Sequence, residues 1–205
     1  IVGFTPISEH FKNNNDPQGL VTLINRLLSA LTDVVLSLDG TIDKYMGDCI
    51  MAFWGAPVDC DNHEERAVTC AGLMLVALEK LNEEIEAEGL PKLGIGIGIN
   101  TGPCVIGNMG GEKRFDYSAI GDAVNVAARL ESSTRKYTED VLIGETTAKA
   151  VQPFLVQPLD SIEVKGKSEK LSVYTLSEDA IRDAHLASGI TVSYTHLTLP
   201  TIYSV

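Results

Sequence analysis

Three short stretches carry side chains of the kind that handle phosphates and metal ions. The first is Thr41-Ile-Asp-Lys-Tyr-Met-Gly-Asp-Cys-Ile-Met-Ala-Phe53, in which Asp48 follows Gly47 between two apolar runs. A carboxylate at the tip of a tight, glycine-containing hairpin is held rigidly and exposed, as a metal ligand must be. Lys44, four residues earlier, supplies the opposite charge. Each also has an ordinary reading, Asp48 as turn chemistry and Lys44 as a solvated strand residue.

The second stretch, Phe115-Asp-Tyr-Ser-Ala-Ile-Gly-Asp-Ala-Val-Asn-Val-Ala-Ala-Arg129, runs from a strand through a glycine turn into a helix. Asn125 and Arg129 are four apart and so project from one helical face. An amide donor beside a guanidinium fork suits an anionic phosphate or a developing oxyanion. Solvent exposure of Asn125 and an ion pair from Arg129 to Glu131 would be the commonplace explanations. Neither accounts for the two together on a face flanked by Val124, Val126 and Ala127. The third stretch, Glu163-Val-Lys-Gly-Lys167, reads as an exposed turn between strands or as two cations closing over a polyphosphate.

The elements that would position these residues follow from capping and periodicity. Asp16-Pro17 is an N-cap followed by proline at the first helical position. Leu20, Leu23, Ile24, Leu27, Leu28, Leu31, Val34, Val35 and Leu38 then recur at helical spacing, and Gly40 closes the helix. Thr41–Lys44 and Cys49–Phe53 are predicted strands joined by the Gly47-Asp48 loop. Asp61 to Glu64 has capping-box spacing and opens a second amphipathic helix. Leu93-Gly-Ile-Gly-Ile-Gly-Ile-Asn100 is a strand with one bare face, which predicts close approach of another backbone or a ligand. Cys104–Asn108 is expected to pair with it as a hairpin. Phe115–Ile120, Val141–Ile143, Phe154–Lys165 and Val173–Leu176 are further strands, with a helix over 121–133. The order predicts an α+β domain with a ferredoxin-like βαββαβ core, an antiparallel sheet with helices packed on it.

The chain has 205 residues and a formal net charge of −12, which argues against nucleic acid or an anionic membrane as partner of the bulk surface. Acidic residues crowd between Asp59 and Glu88 and read as a solvated helix face. The cysteines, at 49, 60, 70 and 104, lack metal or disulfide spacing and are expected to be reduced core thiols of a cytosolic domain. No run approaches the roughly 20 apolar residues of a membrane span. Both ends look cut. Residues 1–177 are expected to form the domain, and 178–205 a non-native or disordered extension, with the uncharged stretch Ser193–Val205 resembling adapter read-through.

Gly-Phe-Thr at 3–5, Lys-Tyr-Met-Gly-Asp at 44–48, Asp-Tyr-Ser-Ala-Ile-Gly-Asp-Ala-Val-Asn-Val-Ala-Ala-Arg at 116–129 and Val-Lys-Gly-Lys at 164–167 occur in this order. Together they resemble class III adenylate/guanylate cyclase catalytic domains over about residues 1 to 176. The resemblance implies a head-to-tail homodimer with shared active sites and two divalent metal ions, Mg or Mn, held by two aspartates. Asp48 matches the second aspartate, and Ile1 the residue whose backbone carbonyl contacts a metal. The first aspartate would directly precede Ile1, and the chain as given is expected to be impaired without it. Gly3, Phe4 and Thr5 match a phosphate-holding turn, and Lys165 the residue that contacts the terminal phosphates.

Lys44 and Ser118 match the two positions that read the purine, and Asn125 and Arg129 the transition-state residues. Lys44 can donate to adenine N1, whereas guanine N1 carries a proton, so the pair favours ATP. The implied reaction is two-metal conversion of ATP to 3′,5′-cyclic AMP and pyrophosphate, in intracellular signal transduction, by attack of the ribose 3′-hydroxyl on the α-phosphate. Guanylate cyclase and a non-catalytic nucleotide-binding or dimerisation module are the alternatives. A longer parent could add an upstream sensor or a membrane anchor, with this domain in the cytosol.

Overall fold

The computed structural model describes residues 1–111, 113–163 and 170–188. Val2 makes a single antiparallel bridge to Gly94, with its amide donating to the Gly94 carbonyl at 2.8 Å. The chain then enters helix α1 (Phe4–Asn13) directly. Ile7 and Phe11, one turn apart, bury against α2 (Pro17–Ser37), so the Gly-Phe-Thr segment is a helix start as well as a turn. Asp16 caps α2 as expected, accepting from the Gly19 amide at 2.8 Å. The left-handed residue at the C-terminal end is Asp39 (φ 57°) rather than Gly40. Gly40 is needed for space: a Cβ there would meet the Val35 side chain at 2.6 Å and the Trp54 ring at 2.8 Å.

By length and a mean hydropathy of 1.5, α2 is apolar enough to cross a membrane, contrary to the sequence expectation. Its stripe of Leu23, Leu27, Leu31 and Val35 is instead buried, the three leucines packing with Leu78, Leu81 and Ile85 of α3 (His63–Ala87). Between these helices lies the hairpin of β1 (Thr41–Met46) and β2 (Cys49–Phe53). Helix α3 starts one residue later than the capping-box spacing suggests, with Asn62 at the N-cap and no side-chain cap bond.

The remaining strands are β3 (Ile97–Ile99), β4 (Val105–Gly111), β5 (Arg114–Ile120), β6 (Val141–Gly144), β7 (Val156–Glu163) and β8 (Lys170–Leu176). They corroborate the α+β class, with two differences of pairing. First, β4 pairs with β5 rather than with β3, in register from Val105–Ile120 to Gly111–Arg114. Second, β3 runs parallel to β6, so the four-stranded order is β3-β6-β8-β7 with the other pairings antiparallel.

The crossover from β3 to β6 passes through the β4/β5 hairpin and then α4 (Asp122–Tyr137), which packs on β3 and β6. That packing explains the alternating glycines. A Cβ on Gly98 would strike the Ala127 carbonyl oxygen and the Glu131 amide, and one on Gly96 would strike the Thr134 hydroxyl. The bare strand face therefore receives a helix backbone. Leu130, fully buried, locks α4 down with Val126, Leu142 and Val173.

After β6 come α5 (Glu145–Ala150), a 3₁₀ turn at Pro153–Leu155, and finally α6 (Glu178–Ser188). Residues 178–188, within the stretch expected to be a C-terminal extension, are helical. Ala180 and Ala184 of α6 are buried, and a Cβ on Gly72 of α3 would stand 3.3 Å from that of Ala184. Such small-residue contact lets α6 close the second core cluster, which contains Val68, Ala71 and Leu176. Residues 189–205 lie outside the described residues.

The four cysteines are free thiols. Burial pushes Cys70 up to about 12, whereas Cys104 is exposed rather than a core residue.

Candidate active site

The β1/β2 hairpin presents two separate clusters. At its tip, Gly47 adopts φ 64° and lets the chain reverse between the paired Met46 and Cys49. Tyr45 anchors the hairpin to α2 through its hydroxyl, 2.9 Å from Thr32 Oγ1. Asp48 is thus held at the turn with its side chain 35 % exposed, and Oδ2 accepts from the Ile1 amino group at 2.7 Å. Burial works to raise the Asp48 carboxyl, and the hydrogen bond and charge of the Ile1 amino group outweigh it, leaving the carboxyl below its ordinary range. The two predicted metal-contacting residues are therefore side by side.

Among the described residues, no three His, Cys, Asp or Glu side chains gather as a metal cage. The donor chemistry fits a hard ion shared with a substrate, since Mg²⁺ is held by one or two carboxylates together with substrate phosphates. Next to this cluster, Gly3 (φ 70°) precedes α1, and the space over it is open. The first-turn amides of Phe4 and Thr5 have no side-chain cap, the arrangement in which a helix N-terminus receives an anion.

The second cluster lies four residues back along β1. Lys44 Nζ donates to Ser118 Oγ of β5 at 3.0 Å, joining the two predicted purine-reading residues. Between them sits a residue that the sequence reading passed over. The Asp43 side chain is fully buried; its Oδ2 accepts from Ser118 Oγ at 2.8 Å and from the Ala119 amide at 2.9 Å, and its Oδ1 lies 3.0 Å from Lys44 Nζ. Neighbours on a strand normally point to opposite faces. Here the β1/β2 register shifts between Ile42 and Lys44, and this bulge lets Asp43 and Lys44 reach the same hydroxyl. Burial works to raise Asp43, but the Ala119 amide, the Ser118 hydroxyl and the Lys44 ammonium hold it below its ordinary value. Nothing in the local composition marks the bulge; an acid directly before Lys44 was the only available signal.

Asn125 and Arg129 stand on the exposed side of α4, opposite Val126 and Leu130. Neither side chain makes a hydrogen bond or ion pair among the described residues, so Glu131 does not neutralise Arg129. The chain joins them to Ser118 through Gly121, where a Cβ would meet the Pro103 carbonyl at 2.8 Å. The α4 start is tied down further by Asn100 Nδ2, which donates to the Ala123 carbonyl at 3.2 Å. Lys165 lies outside the described residues.

A single chain thus groups Ile1 with Asp48, and Asp43 with Lys44 and Ser118, and leaves Asn125 and Arg129 facing outward. This fold and these motifs define a class of nucleotide-handling domain, and comparison with known proteins places the chain within it. The family model for the adenylate and guanylate cyclase catalytic domain matches residues 1–178. The chain is 37 % identical to adenylate cyclase 1 of Rhizobium meliloti over 175 residues, covering 85 % of this chain and 26 % of that protein. It therefore spans about a quarter of that relative's length. Among solved structures, the adenylyl cyclase CyaB from P. aeruginosa superposes with TM-score 0.78 at 33 % identity, covering 86 % of this chain and 89 % of that one. The guanylyl cyclase Cya2 superposes with TM-score 0.76 at 34 % identity, covering 87 % and 89 % respectively. The chain belongs to the adenylate and guanylate cyclase catalytic domain family.

Proposed function

We propose that this domain converts ATP to 3′,5′-cyclic AMP and pyrophosphate at sites shared between two copies of the chain. The single observation that carries the choice of ATP is the Lys44 Nζ to Ser118 Oγ contact at 3.0 Å, which sets a donor to the purine at the predicted reading position. The likeness to both an adenylyl and a guanylyl cyclase leaves the choice of base to these side chains.

In this reading, Lys44 and Ser118 orient the adenine. The amides after Gly3 and the cation of Lys165 receive the polyphosphate. Asp48 and the Ile1 carbonyl would hold Mg²⁺ or Mn²⁺. When bound, such ions would acidify the ribose 3′-hydroxyl and neutralise the phosphates. Arg129 and Asn125 stabilise charge on the α-phosphoryl group and orient the ribose, and positioning supplies much of the acceleration.

Two features support a site shared between copies. Asn125 and Arg129 make no side-chain hydrogen bond or ion pair among the described residues. Val105, Phe115 and Ile120 on the β4/β5 hairpin are also more than 60 % exposed, an unusual apolar display for a surface that stays uncovered. Incubation with Mn²⁺ and either ATP or GTP, with products separated by mass, tests the reading. Cyclic AMP from ATP is expected; dominant cyclic GMP would overturn the choice of base.

A further inference from the structure

Three groups with different hydrogen-bonding capacities meet at the bulge in β1, and their chemistry allows one arrangement. Ionised Asp43 can only accept, and the Lys44 ammonium can only donate. Ser118 Oγ touches both, at 2.8 Å and 3.0 Å, so its single proton must point to Asp43 and one of its lone pairs must take a proton of Lys44. Lys44 has three protons: one lies on Ser118, and Asp43 Oδ1 stands 3.0 Å from the ammonium as an ion-pair partner. A donor on Lys44 and one lone pair on Ser118 remain for a ligand.

We propose that Asp43 is a positioning residue that fixes the hydrogen-bond polarity of the Lys44–Ser118 pair, so that the pair meets a nucleobase as one donor beside one acceptor and selects a 6-aminopurine over a 6-oxopurine. The proposal rests on the ATP reading above and gives it a physical cause. Adenine offers an acceptor at N1 and a donor at its 6-amino group, whereas guanine offers the reverse, a proton at N1 and an acceptor at O6. A serine hydroxyl alone could rotate to suit either base. Tethered to a buried carboxylate that the Ala119 amide holds in place at 2.9 Å, it cannot turn its proton outward without leaving two oxygens 2.8 Å apart with no proton between them. The strand bulge is what brings the carboxylate to the hydroxyl.

The test measures binding of 3′-deoxy-ATP and 3′-deoxy-GTP, which lack the attacking hydroxyl, in the presence of Mn²⁺ and by calorimetry. The unaltered chain is expected to prefer the adenine nucleotide. In Asp43→Asn, whose amide can donate to Ser118 and free the hydroxyl proton, the preference should shrink by about tenfold, the scale of one hydrogen bond. A general structural defect would weaken both nucleotides alike and leave the ratio in place; an unchanged ratio overturns the assignment.

A second arm needs no substitution and holds even if Asp43→Asn does not fold. The 3′-deoxy nucleotide with hydrogen at C6 keeps the N1 acceptor and loses only the amino donor, so it should bind about tenfold more weakly than its adenine counterpart. Equal binding overturns the role of Ser118 as an acceptor, and with it that of Asp43, while leaving the ATP reading standing. A chain that prefers the guanine nucleotide, or binds neither, overturns the ATP reading and this inference together.

Discussion

Gly98 and Ala127 lie backbone against backbone, because a Cβ on residue 98 would fall on the Ala127 carbonyl oxygen. The helix that carries Asn125 and Arg129 is therefore seated at a height set by glycine. Gly98→Ala must lift α4 or bend β3. We expect a loss of about 1–3 kcal/mol or more, read as a fall in Tm of several degrees. Thermal unfolding that matches wild type would show that the helix accommodates the methyl and that the glycine stripe does not set its position.

Lys44→Met should destabilise the chain beyond what an exposed lysine substitution does. It leaves Asp43 buried with its ion-pair partner gone, a change worth about 1–3 kcal/mol, and the partial exposure of Lys44 places it toward the lower end. Urea unfolding of Lys44→Met beside Lys136→Met checks this. Equal midpoints would mean that Ser118 and the Ala119 amide suffice for Asp43.

Asp43 should also shape the acid limb of stability. Its carboxyl lies below the ordinary value of 3.8 in the folded chain. The unfolded state therefore takes up its proton first, so the contribution of Asp43 is complete above that value and fades as pH falls through the folded one. Asp43→Asn should flatten the decline in unfolding free energy at pH values below 3.8, relative to wild type, in a urea series. Parallel acid limbs would assign the decline to other carboxylates.

Asp48→Ala should leave the fold nearly unchanged, because a hairpin tip carries little packing, and should remove the stabilisation that Mn²⁺ with ATP gives the wild type in a thermal shift. A drop in Tm without ligand as large as that of Leu130→Ala, where about 2–5 kcal/mol is expected, would instead make Asp48 a structural residue.

Shared sites predict complementation. In chains competent for turnover, Asp48→Ala and Asn125→Ala, each inactive alone, should recover activity when mixed, because one composite site then has both intact halves. Confirmed heterodimers with no recovery would count against residues crossing between copies.

The sequence was most legible where local chemistry and periodicity agree. The Asp16 cap, the leucine stripe of α2 and the Gly47-Asp48 reversal follow from rules that act within a few residues. Apart from one-residue shifts at the end of α2 and the start of α3, the misreadings involve partners distant in sequence. Leu93–Asn100 announces a bare strand face without saying that α4 will cover it, or that β6 rather than β4 will lie alongside. Lys44 and Ser118 were paired by resemblance, and their hydrogen bond spans 74 residues. Asp43 stayed hidden because a one-residue slip of register depends on how β1 meets β2, and no single residue encodes that.

The close seat of α6 on Gly72 has a consequence for how the chain behaves in solution. The helix is a cover plate whose buried residues are Ala180 and Ala184, with Ile181 packed beside them, so few large side chains hold it on. Shortening the chain at residue 177 would uncover a wall containing Val68 and Ala71. The fault would appear as concentration-dependent self-association, visible in light scattering well before any defect in nucleotide chemistry.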